Sequence, residues 1–154
     1  MQRKDVLINL LDKTFDKESW YAPFNHAIEG LTAEQADWKP EGKATKSIWE
    51  NVNHLTYYKE RLAAELEGRE WKNNLDGEET FSLTDSSSHE WNAVVQRVEK
   101  AQANLRQAIN GLPEQDFVES SLEEKLLDIM LHDAYHTGQI IQLRKMQGSW
   151  PENR

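Results

Sequence analysis

His132 and His136 stand four residues apart in the segment His132-Asp-Ala-Tyr-His136. On a helix this spacing puts two imidazoles on one face, a turn apart, where both can reach a single ion. Helical rotation places Asp128, Gln139 and Leu143 on the same strip. Polar groups on the inward strip of an apolar helix are costly unless they satisfy one another or bind something. The segment is not HExxH, so the general base of a metalloprotease is missing. A third imidazole is available in Asn51-Val-Asn-His54-Leu, at the edge of another apolar stripe. Glu50 and Tyr58 lie one turn to either side of it, with Arg61 beyond. Three neutral imidazoles suit a divalent ion such as Zn, Ni or Fe and leave positions open for water or substrate.

Plainer roles compete for each of these residues. The histidine pair can fill polar slots in a core, and His54 can be a helix-surface residue with a local hydrogen bond. Glu50 suits a helix cap better than a catalytic base. Asp128 reads either as a carboxylate orienting His132 or as an exposed helix charge. His26 and His89 lack matching partners and read as structural or solvent-exposed. Trp38, Trp49, Trp71, Trp91 and Trp150 read as packing anchors.

Four stretches with helical periodicity must position these side chains. The first runs from Asp5 to Gly30, with Pro23 predicting a kink or break around Trp20–Phe24. The second spans Ser47 to Glu67 and the third Ser88 to Asn110. The fourth, Leu122 to Gln147, is apolar over much of its circumference and is expected to be the most buried. Ser47/Glu50, Ser87/Glu90 and Ser121/Glu124 have the capping-box form. Gly30, Gly68, Gly111 and Gly148 are placed to end helices in a left-handed residue. The expected fold is all-α, a four-helix bundle in one domain, 1–154. Residues 68–87 are polar and extend to roughly 65 Å, enough to traverse a bundle. The second and third helices can therefore run parallel, in up-down-down-up order. Trp71, Leu75 and Phe81 are placed to pin that crossover to the bundle.

Composition narrows the function. The 154 residues include 18 Lys+Arg and 27 Asp+Glu, a net charge of −9. Such a surface repels a phosphate backbone, so no nucleic-acid partner is expected. Cysteine is absent, which excludes disulfides, thiolate metal sites and a cysteine nucleophile. No apolar run approaches the ~18 residues that span a bilayer, and the N-terminus does not read as a signal peptide. A cytoplasmic protein with no membrane partner is the expectation.

The segments Ser47-Ile-Trp-Glu-Asn-Val-Asn-His-Leu-Thr-Tyr-Tyr-Lys-Glu60 and His132-Asp-Ala-Tyr-His-Thr-Gly-Gln-Ile140 resemble the DinB-like superfamily, as does Gly30-Leu-Thr-Ala-Glu-Gln-Ala-Asp-Trp-Lys-Pro40. The resemblance covers essentially the whole chain. It implies an up-down-down-up bundle, often a homodimer, carrying a divalent metal on His54, His132 and His136. Characterised relatives include mycothiol-dependent maleylpyruvate isomerase and bacillithiol S-transferases. It thus implies a metal-dependent enzyme that activates bacillithiol or a similar thiol for transfer to a small-molecule electrophile. Tyr58, Arg61 and Gln139 are the candidates for holding that cosubstrate, with Lys59 and Arg144 as further cations for its carboxylates. Two rivals stay open. One is metal-dependent hydrolysis with Glu50 or Asp128 as base; the other is a non-catalytic bundle whose metal only reinforces folding.

Overall fold

The computed structural model describes residues 2–83, 85–119 and 121–153. Among them are seven α-helices, one 3₁₀ turn and no strand. The helices are α1 (Arg3–Phe15), α2 (Phe24–Ile28), α3 (Ala33–Asp37), α4 (Ile48–Leu66), α5 (Ser88–Gly111), α6 (Asp116–Glu119) and α7 (Leu122–Gln147); the 3₁₀ turn is Glu79–Phe81. No described helix is long and apolar enough to cross a membrane.

The chain leaves the helix earlier than a kink at Pro23 requires. After Phe15 the periodicity lapses into Asp16-Lys17-Glu18-Ser19, and α1 closes with Asp16 and Lys17 N–H groups on the Asp12 carbonyl. Pro23, with no N–H to donate, then serves as N-cap of the short α2. Trp20, on the intervening segment, is fully exposed and anchors nothing.

Caps follow the sequence only where the backbone lets them. At α4 the box is complete: Glu50 N–H donates to Ser47 Oγ and Ser47 N–H to Glu50 Oε2. At α5, Ser87 caps the Glu90 N–H, but its own N–H turns to Asp85 Oδ1 at 2.9 Å. At α7, Ser121 has ψ 15° rather than an extended value and makes no side-chain cap bond, because its hydroxyl no longer faces the first-turn amides. Gly148 ends α7 in the left-handed region at φ 80°. Gly111 instead remains the last residue of α5 without a positive φ; Leu112-Pro113 stops that helix.

Contacts between the long helices have a clear order. Along α4 and α5 the partners ascend together: Trp49 with Trp91, Glu60 with Arg97. Along α4 and α7 they run oppositely, Asn51 with His136, His54 with His132 and Glu65 with Lys125. Along α1 and α5 they also run oppositely, Lys4 with Asn110 and Asp12 with Arg106. The core divides into two apolar clusters. One holds Phe15, Trp49, Leu55, Trp91, Val98 and Ile140; the other holds Leu11, Leu62, Leu105, Leu126 and Met130. Each long helix also contributes a buried polar residue, Thr14, Lys59, Gln102 and Asp133, and Lys59 bonds both Gln102 and Asp133.

The fourth helix of the sequence reading, α7, is not buried all round. Leu126, Ile129, Met130, Ile140 and Leu143 face the core, whereas Leu127, Leu131, Tyr135 and Met146 are exposed. Its apolar circumference reflects two apolar faces rather than full enclosure.

Candidate metal centre

His54 projects from the middle of α4, His132 and His136 from successive turns of α7. Because the two helices run oppositely against each other, the three rings meet with centroids 4.6–4.8 Å apart. One ligand nitrogen from each lies within 4.8 Å of the others. His54 Nε2 and His132 Nε2 are 2.8 Å apart. His54 and His136 are buried and His132 is half-buried.

The outward nitrogens have different surroundings. The Asn51 amide N–H₂ donates to the Ser47 carbonyl at 2.8 Å, which turns Asn51 Oδ1 toward His136 Nδ1, also at 2.8 Å. His136 therefore donates from Nδ1 and keeps Nε2 for the cluster. His54 Nδ1 meets Thr80 Oγ1 at 2.6 Å, and Phe81 stacks on the His54 ring at 4.0 Å. His132 Nδ1 is buried without a hydrogen-bond partner, so of the two readings of Asp128 the bond that would orient His132 through Nδ1 is not formed, and Asp128 is an exposed helix charge.

Electrostatics keep the rings neutral. Burial, then the neighbouring His136, His132 and Lys46 charges, push His54 down to about 3. Burial and His132 push His136 down to about 4, against a hydrogen bond to Gln139 and the Asp133 charge, which favour protonation. Burial, then Lys59, lowers His132 as well. Three neutral imidazole nitrogens drawn together in this way fit a divalent ion of borderline softness.

Two hollows adjoin the histidines. A hollow of about 510 Å³ is bordered by His54, Tyr58 and His132, with Arg61, Glu65, Lys125 and Asp128 among its charged lining. A hollow of about 460 Å³ on the His136 side includes Phe81, Tyr135, Gln139 and Met146. Tyr58 and Arg61 thus share one hollow while Gln139 belongs to the other. Asp128 is exposed on the lining of the first. Glu50 lines neither; its Oε2 holds the Ser47 N–H and lies 3.5 Å from Lys39 Nζ, which accounts for it as a cap.

Two expected cations are not available to a ligand. Lys59 is fully buried, donating to Gln102 Oε1 at 2.8 Å and to Asp133 Oδ2. Arg144 donates to the Ala27 and Glu29 carbonyls at 3.1 Å and the Ser149 carbonyl at 2.8 Å, tying the end of α2 to α7. Asn51, Thr80 and Asp133 also stand at the site without having been expected there, and Phe81, expected only to pin the crossover, stacks on His54. Asn51 and Lys59 did carry a signal, as polar residues in register with the α4 stripe. Thr80 carried none, being brought to His54 across 26 residues of chain.

A model of the DinB family matches residues 21–153 of the chain. No curated protein and no solved structure matches it significantly.

Proposed function

The chain belongs to the DinB family, and on that footing we propose that it is an enzyme in which a divalent ion, held by His54, His132 and His136, activates a low-molecular-weight thiol for transfer to an electrophile. The observation that carries the reading is the convergence of three neutral imidazoles beside two separate hollows. Such an ion supplies a positive charge that lowers the pKa of a thiol. The charged hollow suits bacillithiol or a similar thiol, with Arg61 binding a carboxylate and Tyr58 packing beside the reacting end. Gln139, in the other hollow, is assigned to the electrophile. The contact orders along α1, α4, α5 and α7 support an up-down-down-up four-helix bundle as the scaffold.

Ion-loaded protein mixed with bacillithiol and monochlorobimane is expected to form the conjugate faster than ion-stripped protein. In that reaction the sulfur–carbon bond forms as chloride leaves and the thiol proton passes to solvent. Equal rates would count against the transferase. Asp128, bordering the histidine hollow, favours hydrolysis as the second reading; that reading predicts ester cleavage with no thiol added.

We further assign a second copy of the chain to the exposed strip Leu127, Leu131 and Tyr135, three apolar side chains at successive turns of one face of α7. Light scattering is expected to return twice the 17.9 kDa chain mass; a monomer at micromolar concentration would remove this assignment.

A further inference from the structure

The long crossover between α4 and α5 does more than connect them. Tyr57 Oη anchors its first half, accepting from the Leu75 N–H at 3.1 Å and donating to the Asn73 carbonyl at 3.0 Å. Asp76 and Glu79 then close a reciprocal turn, Asp76 N–H to Glu79 Oε2 at 2.9 Å and Glu79 N–H to Asp76 Oδ1 at 2.8 Å. This turn delivers Thr80, itself buried, to the back of His54, and lays Phe81 on the imidazole face with rings 8° from parallel.

Proton counting decides what Thr80 does there. A threonine hydroxyl has one hydrogen. Thr80 Oγ1 lies 2.6 Å from the Gly77 carbonyl, which can only accept, so the hydrogen is used there. Toward His54 Nδ1, at 2.6 Å, Oγ1 offers a lone pair. Nδ1 must then carry the N–H. A neutral imidazole has one N–H, so His54 Nε2 is left with a free lone pair pointing at the other two histidines.

We infer that Thr80 is a positioning residue: held by the Gly77 carbonyl, its hydroxyl fixes His54 in the tautomer that presents Nε2 to the three-histidine centre. The crossover thereby prepares one ligand from outside the helices, as Asn51 prepares His136 from within α4. His132, whose Nδ1 is unpartnered, is the ring left to adjust. The inference rests on the three-histidine reading for its purpose, though not on any catalysed reaction.

Thr80→Val keeps the shape of the side chain and removes the hydroxyl; Thr80→Ser restores it. The ¹⁵N imidazole shifts of ion-free protein report the tautomer, and competition with a chromophoric chelator reports zinc affinity. Wild type is expected to show His54 protonated at Nδ1 and free at Nε2. The valine variant is expected to lose that preference and to bind zinc about 10–100-fold more weakly, with serine restoring both. A His54 tautomer unchanged by valine overturns the role of Thr80, whatever the zinc result. If valine prevents folding, the wild-type spectrum alone decides, since a His54 protonated at Nε2 overturns the inference. A Thr80-dependent tautomer in a protein that binds no zinc would sink the metal reading and leave the positioning intact.

Discussion

Alanine at position 54 or 136 is expected to leave the protein without its ion. Each substitution removes a nitrogen from a set of three, and neither hollow lining offers a fourth imidazole in its place. The loss of affinity should exceed the ~10–100-fold typical when an outer-shell partner of a ligand is removed. Elemental analysis of wild type, His54→Ala and His136→Ala, all purified without added metal, reads the effect directly. Substoichiometric metal indistinguishable among the three would undo the assignment.

The same centre has a pH signature. An ordinary imidazole is half-protonated near ~6.5, but His54 is held at about 3 and His136 at about 4. Protons therefore compete for these rings only in that lower range, and wild type is expected to keep its ion at a pH where free histidines have lost theirs. The linkage sign for the ion-free protein follows from the same values. Folded pKa values below the unfolded one mean that the unfolded chain binds more protons between them. Stability contributed by the neutral rings is complete above about 6.5 and is lost as pH falls toward about 4 and then about 3. Urea midpoints in the presence of a chelator, taken across that window, should decline; a flat profile would contradict the buried, neutral state of the cluster.

Lys59→Ala is expected to destabilise the fold by about 3–5 kcal/mol, the range for removing one partner of a buried ion pair. Lys59 and Asp133 are both almost inaccessible to solvent. Burial already pushes the Asp133 carboxyl up, with Lys59 opposing the rise. Without the ammonium, Asp133 must either hold an unpaired charge or take up a proton, and its Oδ1 has no hydrogen-bond partner to soften the change. The double substitution Lys59→Met with Asp133→Leu removes both charges and should recover most of the loss. Urea denaturation of the single and double variants separates the outcomes. A single variant within about 1 kcal/mol of wild type, as for a solvent-exposed pair, would show that the Lys59–Asp133 pair does not behave as a buried one.

Much of the local structure was legible in the residues. The Ser47-x-x-Glu50 box and the stripe Ile48, Val52, Leu55, Leu62 and Leu66 mark α4 because capping and 3.6-residue periodicity are local rules. The pairing of His132 with His136 was visible for the same reason. The readings that failed did so for different reasons, one of them a competing neighbour. Ser87 caps its helix, but its N–H is claimed by Asp85. Lys59 and Arg144, cations on paper, are consumed by Asp133, Gln102 and the carbonyls of α2. The apolar circumference of α7 suggested burial, yet periodicity reports that a face is apolar without saying what covers it.

What the amino-acid order determined by itself was the three long helices α4, α5 and α7 with their approximate ends, the two-histidine face of α7 and the family to which the chain belongs. The first helix was read too long, and the short α3 and α6 were not read at all. His54 was already offered as the third ligand; tertiary structure alone decided that Thr80 and Asn51 stand behind two of the rings and that Asp133 pairs with Lys59. The division is physical. Helix signals arise from neighbours three and four residues apart, whereas imidazole convergence, tautomer and charge pairing depend on atoms brought within about 3 Å by helix packing, from positions 26 to 85 residues distant in the chain.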